Sequence, residues 1–188
     1  MLNLQRYLAR LTCVVVFLGM ARLAAAESVE DIVNYVRYSP TLASSGQPTA
    51  EQLAAVAADG VQRVIYLAFS DHDTSLPKED RIARDLGLRF TQLPVIWEAP
   101  GVEDFRAFAA LMQSAPEDST LVHCQINWRA SSFVFLYRVV VGRVPLDDAY
   151  LDMARVWTPD PNWQQFMADV LMAYGLATDC PSCEEWQH

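Results

Sequence analysis

Positive charge is scarce in this chain: 14 Lys and Arg stand against 23 Asp and Glu, a formal net charge of −9. That balance argues against nucleic acid and anionic membrane surfaces as partners, since both require a positive field. It leaves room for a local anion site, which needs only one or two well-placed charges. Long apolar runs are also missing. Leu11 to Met20, the run near the start, falls well short of the roughly 20 residues that span a bilayer. There is no internal repeat, no linker composition and no sign of a second domain. Cysteine is sparse, with four in 188 residues.

What the first residues do contain is ordered. Arg6 and Arg10 precede the apolar run, and Ala24-Ala25-Ala26 follow it with small side chains. This is the pattern of a secretory signal peptide over residues 1–26. The expectation is an exported protein, periplasmic or secreted, with no membrane association after cleavage. One domain would span 27–175, and a tail would span 176–188. Cleavage removes Arg6, Arg10 and Arg22 but no acid, so the mature chain is more acidic still. It also removes Cys13 and leaves an odd number: Cys124, Cys180 and Cys183. Cys180-Pro-Ser-Cys183 is the expected disulfide, which leaves Cys124 over. A free thiol in an oxidising compartment is a liability unless it is buried or used.

Along the chain, 28–38 has helical propensity and 39–48 is rich in turn residues. Thr49 and Gln52 form a capping box for a helix that Gly60 ends. The β-rich run VQRVIYLAF follows, and the pattern repeats with a helix from Lys78 to Leu86 and the strand LRFTQLPV. A helix over Val102 to Met112 then leads to the short strand STLV. Strand and helix alternate at the spacing of βα units, which predicts an α/β fold with a mainly parallel central sheet and helices on both faces. The last third reads as three helices: a nearly all-apolar one over Ala130 to Val141, then Leu146 to Trp157, then Asn162 to Tyr174. The tryptophans read mainly as packing residues.

The chemistry concentrates in His123-Cys124-Gln125-Ile126-Asn127-Trp128-Arg129-Ala130-Ser131. This segment lies between a strand and an apolar helix. In open α/β sheets ligands bind beyond the carboxyl ends of the strands, where helix N-terminal amides attract anions. A free thiol near pKa 8.5 is only about 3% ionised at pH 7, and a fall of two units makes it mostly thiolate. Helix amides and the Arg129 guanidinium are expected to supply that stabilisation. Gln125, Ile126, Asn127, Trp128 and Arg129 form the candidate anion-binding loop, with Arg129 gripping two oxygens of a tetrahedral anion. Asn127 suits a turn with positive φ. His123 reads as an orienting neighbour and Ser131 as a donor to the cysteine sulfur.

The His-Cys…Arg arrangement after a strand resembles the signature of protein tyrosine and dual-specificity phosphatases. The stretches LASSGQPTAEQLAAVAADGVQRVIYL, LGLRFTQLPVIWEAP and HCQINWRAS resemble small bacterial members of that fold. The resemblance implies a tyrosine-phosphatase-like fold and a cysteine-dependent hydrolase of phosphate monoesters, acting through a cysteinyl-phosphate without metal or organic cofactor. It implies a small anionic substrate or a phosphoprotein as partner, while the oligomeric state is not legible. Phosphatases of this type also use an aspartic acid after the strand that ends here at Leu93-Pro94-Val95. Ile96 stands at that place, so Glu98, or one of Asp71, His72 and Asp73, is the expected acid.

Four residues separate Cys124 from Arg129, where the usual phosphatase loop has five. Rhodanese-type sulfurtransferases share the shorter spacing, so a Cys124 persulfide is the alternative chemistry. A non-catalytic anion-binding or partner-binding module is the third reading. The loose spacing of Asp71, His72 and Asp73 favours a solvated loop over a metal site.

Overall fold

The computed structural model describes residues 27–178. The segment read as a signal peptide, 1–26, and the pair Cys180 and Cys183 lie outside them. Five strands, β1 (Val36–Ser39), β2 (Leu42–Ser45), β3 (Arg63–Tyr66), β4 (Arg89–Gln92) and β5 (Thr120–His123), form one sheet in the order β1-β2-β5-β3-β4. Only β1 runs antiparallel to its neighbour; β2, β5, β3 and β4 are parallel. Six helices surround it: α1 (Ala50–Ala58), α2 (Glu79–Asp85), α3 (Val102–Gln113), α4 (Trp128–Val140), α5 (Leu146–Ala154) and α6 (Pro161–Ala173). The expected α/β architecture with helices on both faces is present.

Alternation along the strands assigns the faces. Val64 and Leu121 pack with Leu53 and Val56 of α1 and Ala83 of α2. Ile65 and Val122 pack with Phe105 and Phe108 of α3, and with α4, α5 and α6. One residue of shift along a strand changes the face, which is why buried parallel strands read as continuous apolar runs. Helix α4 carries ten buried residues and lies sandwiched between the sheet and its neighbours, so its lack of amphipathic pattern follows from burial all round.

Several local signals have their expected outcome. The Thr49 hydroxyl accepts from the Gln52 amide at 3.1 Å, and the Gln52 side chain accepts from the Thr49 amide at 3.0 Å. Gly60 and Gly87 follow their helices at φ 89° and 79°.

The segment 27–48 differs from its helical and turn-rich reading. A single 3-10 turn at Val29–Asp31 precedes the β1–β2 hairpin. Strand β2 contains Ala43, Ser44 and Ser45, small residues with little strand preference of their own. It is held because Leu42 to Ser45 pair in register with Thr120 to His123 of β5. That partner lies far along the chain, where no local pattern reports it.

The disulfide expectation is corrected. No disulfide exists among the described residues, where Cys124 is a free, buried cysteine. No helix among the described residues is long and apolar enough to cross a membrane.

Candidate active site

Parallel register brings Ser45, His123 and Tyr66 level at the carboxyl ends of β2, β5 and β3. Cys124 follows immediately, 1% exposed, with its amide donating to the Ser45 carbonyl at 3.3 Å. The chain then loops through Gln125 and Ile126 to Asn127, which takes φ 73° and starts α4. Asparagine tolerates this left-handed conformation better than other non-glycine residues. Here its Nδ2 also donates to the Asn34 carbonyl at 2.5 Å.

The loop is clamped from outside by residues that sequence reasoning passed over. The Gln125 carbonyl accepts from the Gln47 amide at 3.0 Å, and the Ile126 carbonyl accepts from Asn34 Nδ2 at 2.9 Å. Gly46 bridges to Ile126 and sits so close that a Cβ there would lie 2.9 Å from the Gln125 oxygen. Both peptide carbonyls therefore point toward the 33–47 segment. In a trans planar peptide the following N–H points the opposite way. The amide of Ile126 is thus turned away from that segment. A glycine before a loop and a pair of asparagines were the only signals available, and neither names its partner.

Arg129 is 9% exposed and anchored twice: Nε donates to the Val95 carbonyl at 3.0 Å, and Nη1 to Gln125 Oε1 at 2.7 Å. Its guanidinium lies 5.2 Å from the centroid of the Trp97 ring. A guanidinium has five N–H donors, so these two bonds leave others available. Burial pushes the Arg129 pKa down from its ordinary value, while the nearby Cys124, Tyr66 and Glu98 oppose that shift.

A cavity of about 430 Å³ opens over these residues. Cys124, Gln125, Ile126, Trp128 and Arg129 line it, together with Trp97, Glu98, His72 and Thr74. A shallower recess of about 410 Å³ shares Glu98, Gln125, Arg129 and His72 and adds Phe69, Asp71 and Ile96. The 95–98 segment is held rigidly. The Trp97 carbonyl accepts from Trp163 Nε1 at 3.1 Å, and the Trp97 ring packs against Trp128, Trp157 and Trp163 at centroid distances of 5.7, 5.6 and 4.9 Å.

The family model described as "DSP-PTPase phosphatase fused to NAD+ Kinase" matches residues 14–165. The chain belongs to that family. A putative phosphatase (DUF442) from Shewanella putrefaciens CN-32 is 31% identical, with a TM-score of 0.71 over 78% of this chain and 96% of that one. P. aeruginosa TpbA, at 22% identity and TM-score 0.58 over 83% and 92% of the two chains, shares the fold. So does PTPMT1, solved in complex with PI(5)P, at 15% identity and TM-score 0.64 over 75% and 96%. Comparison with curated proteins found no match.

In this member of the DSP-PTPase family the remaining expected site residues fall in different places. Glu98 lines the cavity with Cys124, whereas Asp71 lines only the outer recess. Ile96 is 54% exposed, so its side chain faces the rim instead of the core. The Ser131 hydroxyl donates to the Trp128 carbonyl at 3.2 Å, within its own helix. His123 is fully buried behind the nucleophile, stacked on Tyr66 at 4.6 Å between centroids. Its Nε2 lies 3.2 Å from Glu79 Oε1, close enough for charge interaction but not directed as a hydrogen bond. Glu79, 5% exposed and also accepting from Gln47 Nε2 at 3.0 Å, is a buried acid that the sequence did not single out. No cluster of metal-ligating side chains exists among the described residues.

Proposed function

We propose that the chain is an exported, cysteine-dependent hydrolase of phosphate monoesters. The observation that carries this reading is the shared cavity of Cys124 and Arg129, with the guanidinium buried and anchored on the Val95 carbonyl. Cys124 as thiolate attacks phosphorus and forms the S–P bond while the ester P–O bond breaks. The unspent donors of Arg129, with the outward-clamped loop's amides, hold the equatorial oxygens as charge develops on them. The leaving oxygen takes a proton from a titratable side chain of the cavity wall, and water then cleaves the cysteinyl-phosphate. Four residues between Cys124 and Arg129 make this loop one residue shorter than the usual phosphatase loop. Gln125 Oε1 supports the shortened span by fastening Nη1 of Arg129. The Trp97, Trp128 and Ile126 side chains that line the site favour a substrate with an apolar or aromatic body, whether a small molecule or a phosphoprotein side chain.

The test uses the purified chain without residues 1–26, kept reduced. It is given an aryl phosphate and, separately, thiosulfate with cyanide. Phosphate release that falls to background in Cys124→Ser is the expected result. Thiocyanate production without phosphate release would instead assign a persulfide and overturn the hydrolase reading.

A further inference from the structure

We infer that the proton for the leaving group comes from the imidazole of His72, in place of the carboxylic acid whose usual position is occupied by Ile96. This rests on the hydrolase reading of the same site. His72 lines both the cavity containing Cys124 and the recess outside it, together with Arg129. A side chain in that position borders the path along which an ester's leaving group must extend from phosphorus to solvent.

The ring is aimed. Its Nδ1 lies 2.9 Å from Thr74 Oγ1 and accepts from the Thr74 amide at 3.2 Å. With Nδ1 so engaged, the neutral ring carries its hydrogen on Nε2. When the ring is protonated, Nδ1–H gives up the bond from the Thr74 amide and donates to Thr74 Oγ1, because a hydroxyl serves as donor or acceptor. The Thr74 hydroxyl, but not the Thr74 amide, therefore partners the ring in both protonation states. Its loop is also tied down. The Ser75 amide donates to the His72 carbonyl at 2.9 Å, and Ser75 Oγ donates to the Phe69 carbonyl at 2.9 Å. Tyr66 Oη reaches the Phe69 carbonyl at 3.1 Å and Ser75 Oγ at 2.7 Å.

The charged groups that face His72 are Cys124, Arg129 and Glu98 across the cavity and Asp71 in the recess. Glu98 is the competing acid. It interacts with the charge of Arg129, and no described hydrogen bond orients its carboxyl as Thr74 orients His72. In the first step the imidazolium gives its Nε2 proton to the departing oxygen as the S–P bond forms. In the second, neutral Nε2 takes a proton from the attacking water as the S–P bond breaks. Thiolate and imidazolium are both regenerated, and the net reaction is ester plus water to alcohol plus phosphate.

The measurement is kcat against pH and against leaving-group pKa for wild type, His72→Asn, Glu98→Gln and Thr74→Val, with Asp73→Asn as control. An imidazole acid gives the wild-type profile a descending limb that belongs to His72. His72→Asn should lose that limb and fall about 10²- to 10³-fold on an alkyl phosphate. It should change less than about 3-fold on an aryl phosphate whose leaving group departs without a proton. Thr74→Val should show a smaller loss of the same selective kind, and Asp73→Asn none. A descending limb that survives in His72→Asn, or that disappears in Glu98→Gln, overturns this inference while leaving the hydrolase reading intact. Absence of any Cys124-dependent phosphate release by wild type overturns both.

Discussion

Gly46→Ala isolates the clamp behind the loop. A Cβ at Gly46 would lie 2.9 Å from the Gln125 carbonyl oxygen, 2.9 Å from Val33 Cβ and 3.0 Å from the Val33 carbonyl oxygen. Each is roughly 0.4 to 0.5 Å inside ordinary van der Waals contact, and none is the free end of a flexible side chain. Two of the three atoms also take part in the local bonding: the Val33 oxygen accepts from the Gly46 amide at 2.6 Å, and the Gln125 oxygen from the Gln47 amide at 3.0 Å. Relief must therefore move backbone on one side or the other. Overpacking of this kind costs about 1 to 3 kcal/mol, and rigid partners place Gly46→Ala near 2. For a domain of this size that lowers Tm by about 4 to 8 °C. A shift of a few tenths of an ångström in the Gln125–Ile126 peptides should reduce kcat about 10-fold, since 1 Å of misplacement is worth about 10². Gly60→Ala is the control. Gly60 has φ 89° and nothing within 4 Å of its virtual Cβ, so its cost of about 1 to 2 kcal/mol is conformational and should leave kcat unchanged. Thermal denaturation and phosphate release on the same preparations make the comparison. Gly46→Ala with wild-type Tm and kcat would refute the clamp, as would an equal loss of kcat in Gly60→Ala.

Two further outcomes are expected. Arg129→Lys gives up the bond to the Val95 carbonyl and the planar grip on oxygens. It should lower kcat/KM about 10²- to 10³-fold and slow alkylation of Cys124 by iodoacetamide at pH 7; retention of either within 3-fold contradicts the role given to Arg129. Burial pushes the Tyr38 hydroxyl up to about 12, against a hydrogen bond with Ser44 that lowers it. A folded pKa above the unfolded value of about 10 means that its contribution is complete below pH 10 and is lost as pH rises through 12. Urea titrations should show stability falling across that window by at most about 3 kcal/mol, and Tyr38→Phe should flatten the slope. An unchanged slope in Tyr38→Phe would assign the alkaline loss to other groups.

Sequence alone determined the parts of this protein whose causes are local. The Thr49–Gln52 capping box, the terminating Gly60 and Gly87, the buried run of α4 and the alternation of strand and helix each follow from propensity and patterning within a few residues. The Cys124 to Arg129 constellation was legible for the same reason, because a strand, a tight loop and a helix start occupy one short stretch. Tertiary structure alone decided which distant residues complete it. Strand β2 exists because β5 pairs with it, although its Ala43, Ser44 and Ser45 carry little strand preference. Asn34, Gly46 and Gln47 fasten the loop from about 80 to 90 residues away in sequence. Glu79 meets His123 only because α2 and β5 share a face of the sheet. Among Glu98, Asp71 and His72, composition offered no choice. Their distances from Cys124 are set by how the loops after β3 and β4 are tied back to the sheet and to α6. Those ties are hydrogen bonds and ring contacts between segments remote in the chain, and remote contacts leave no periodic trace in a single sequence.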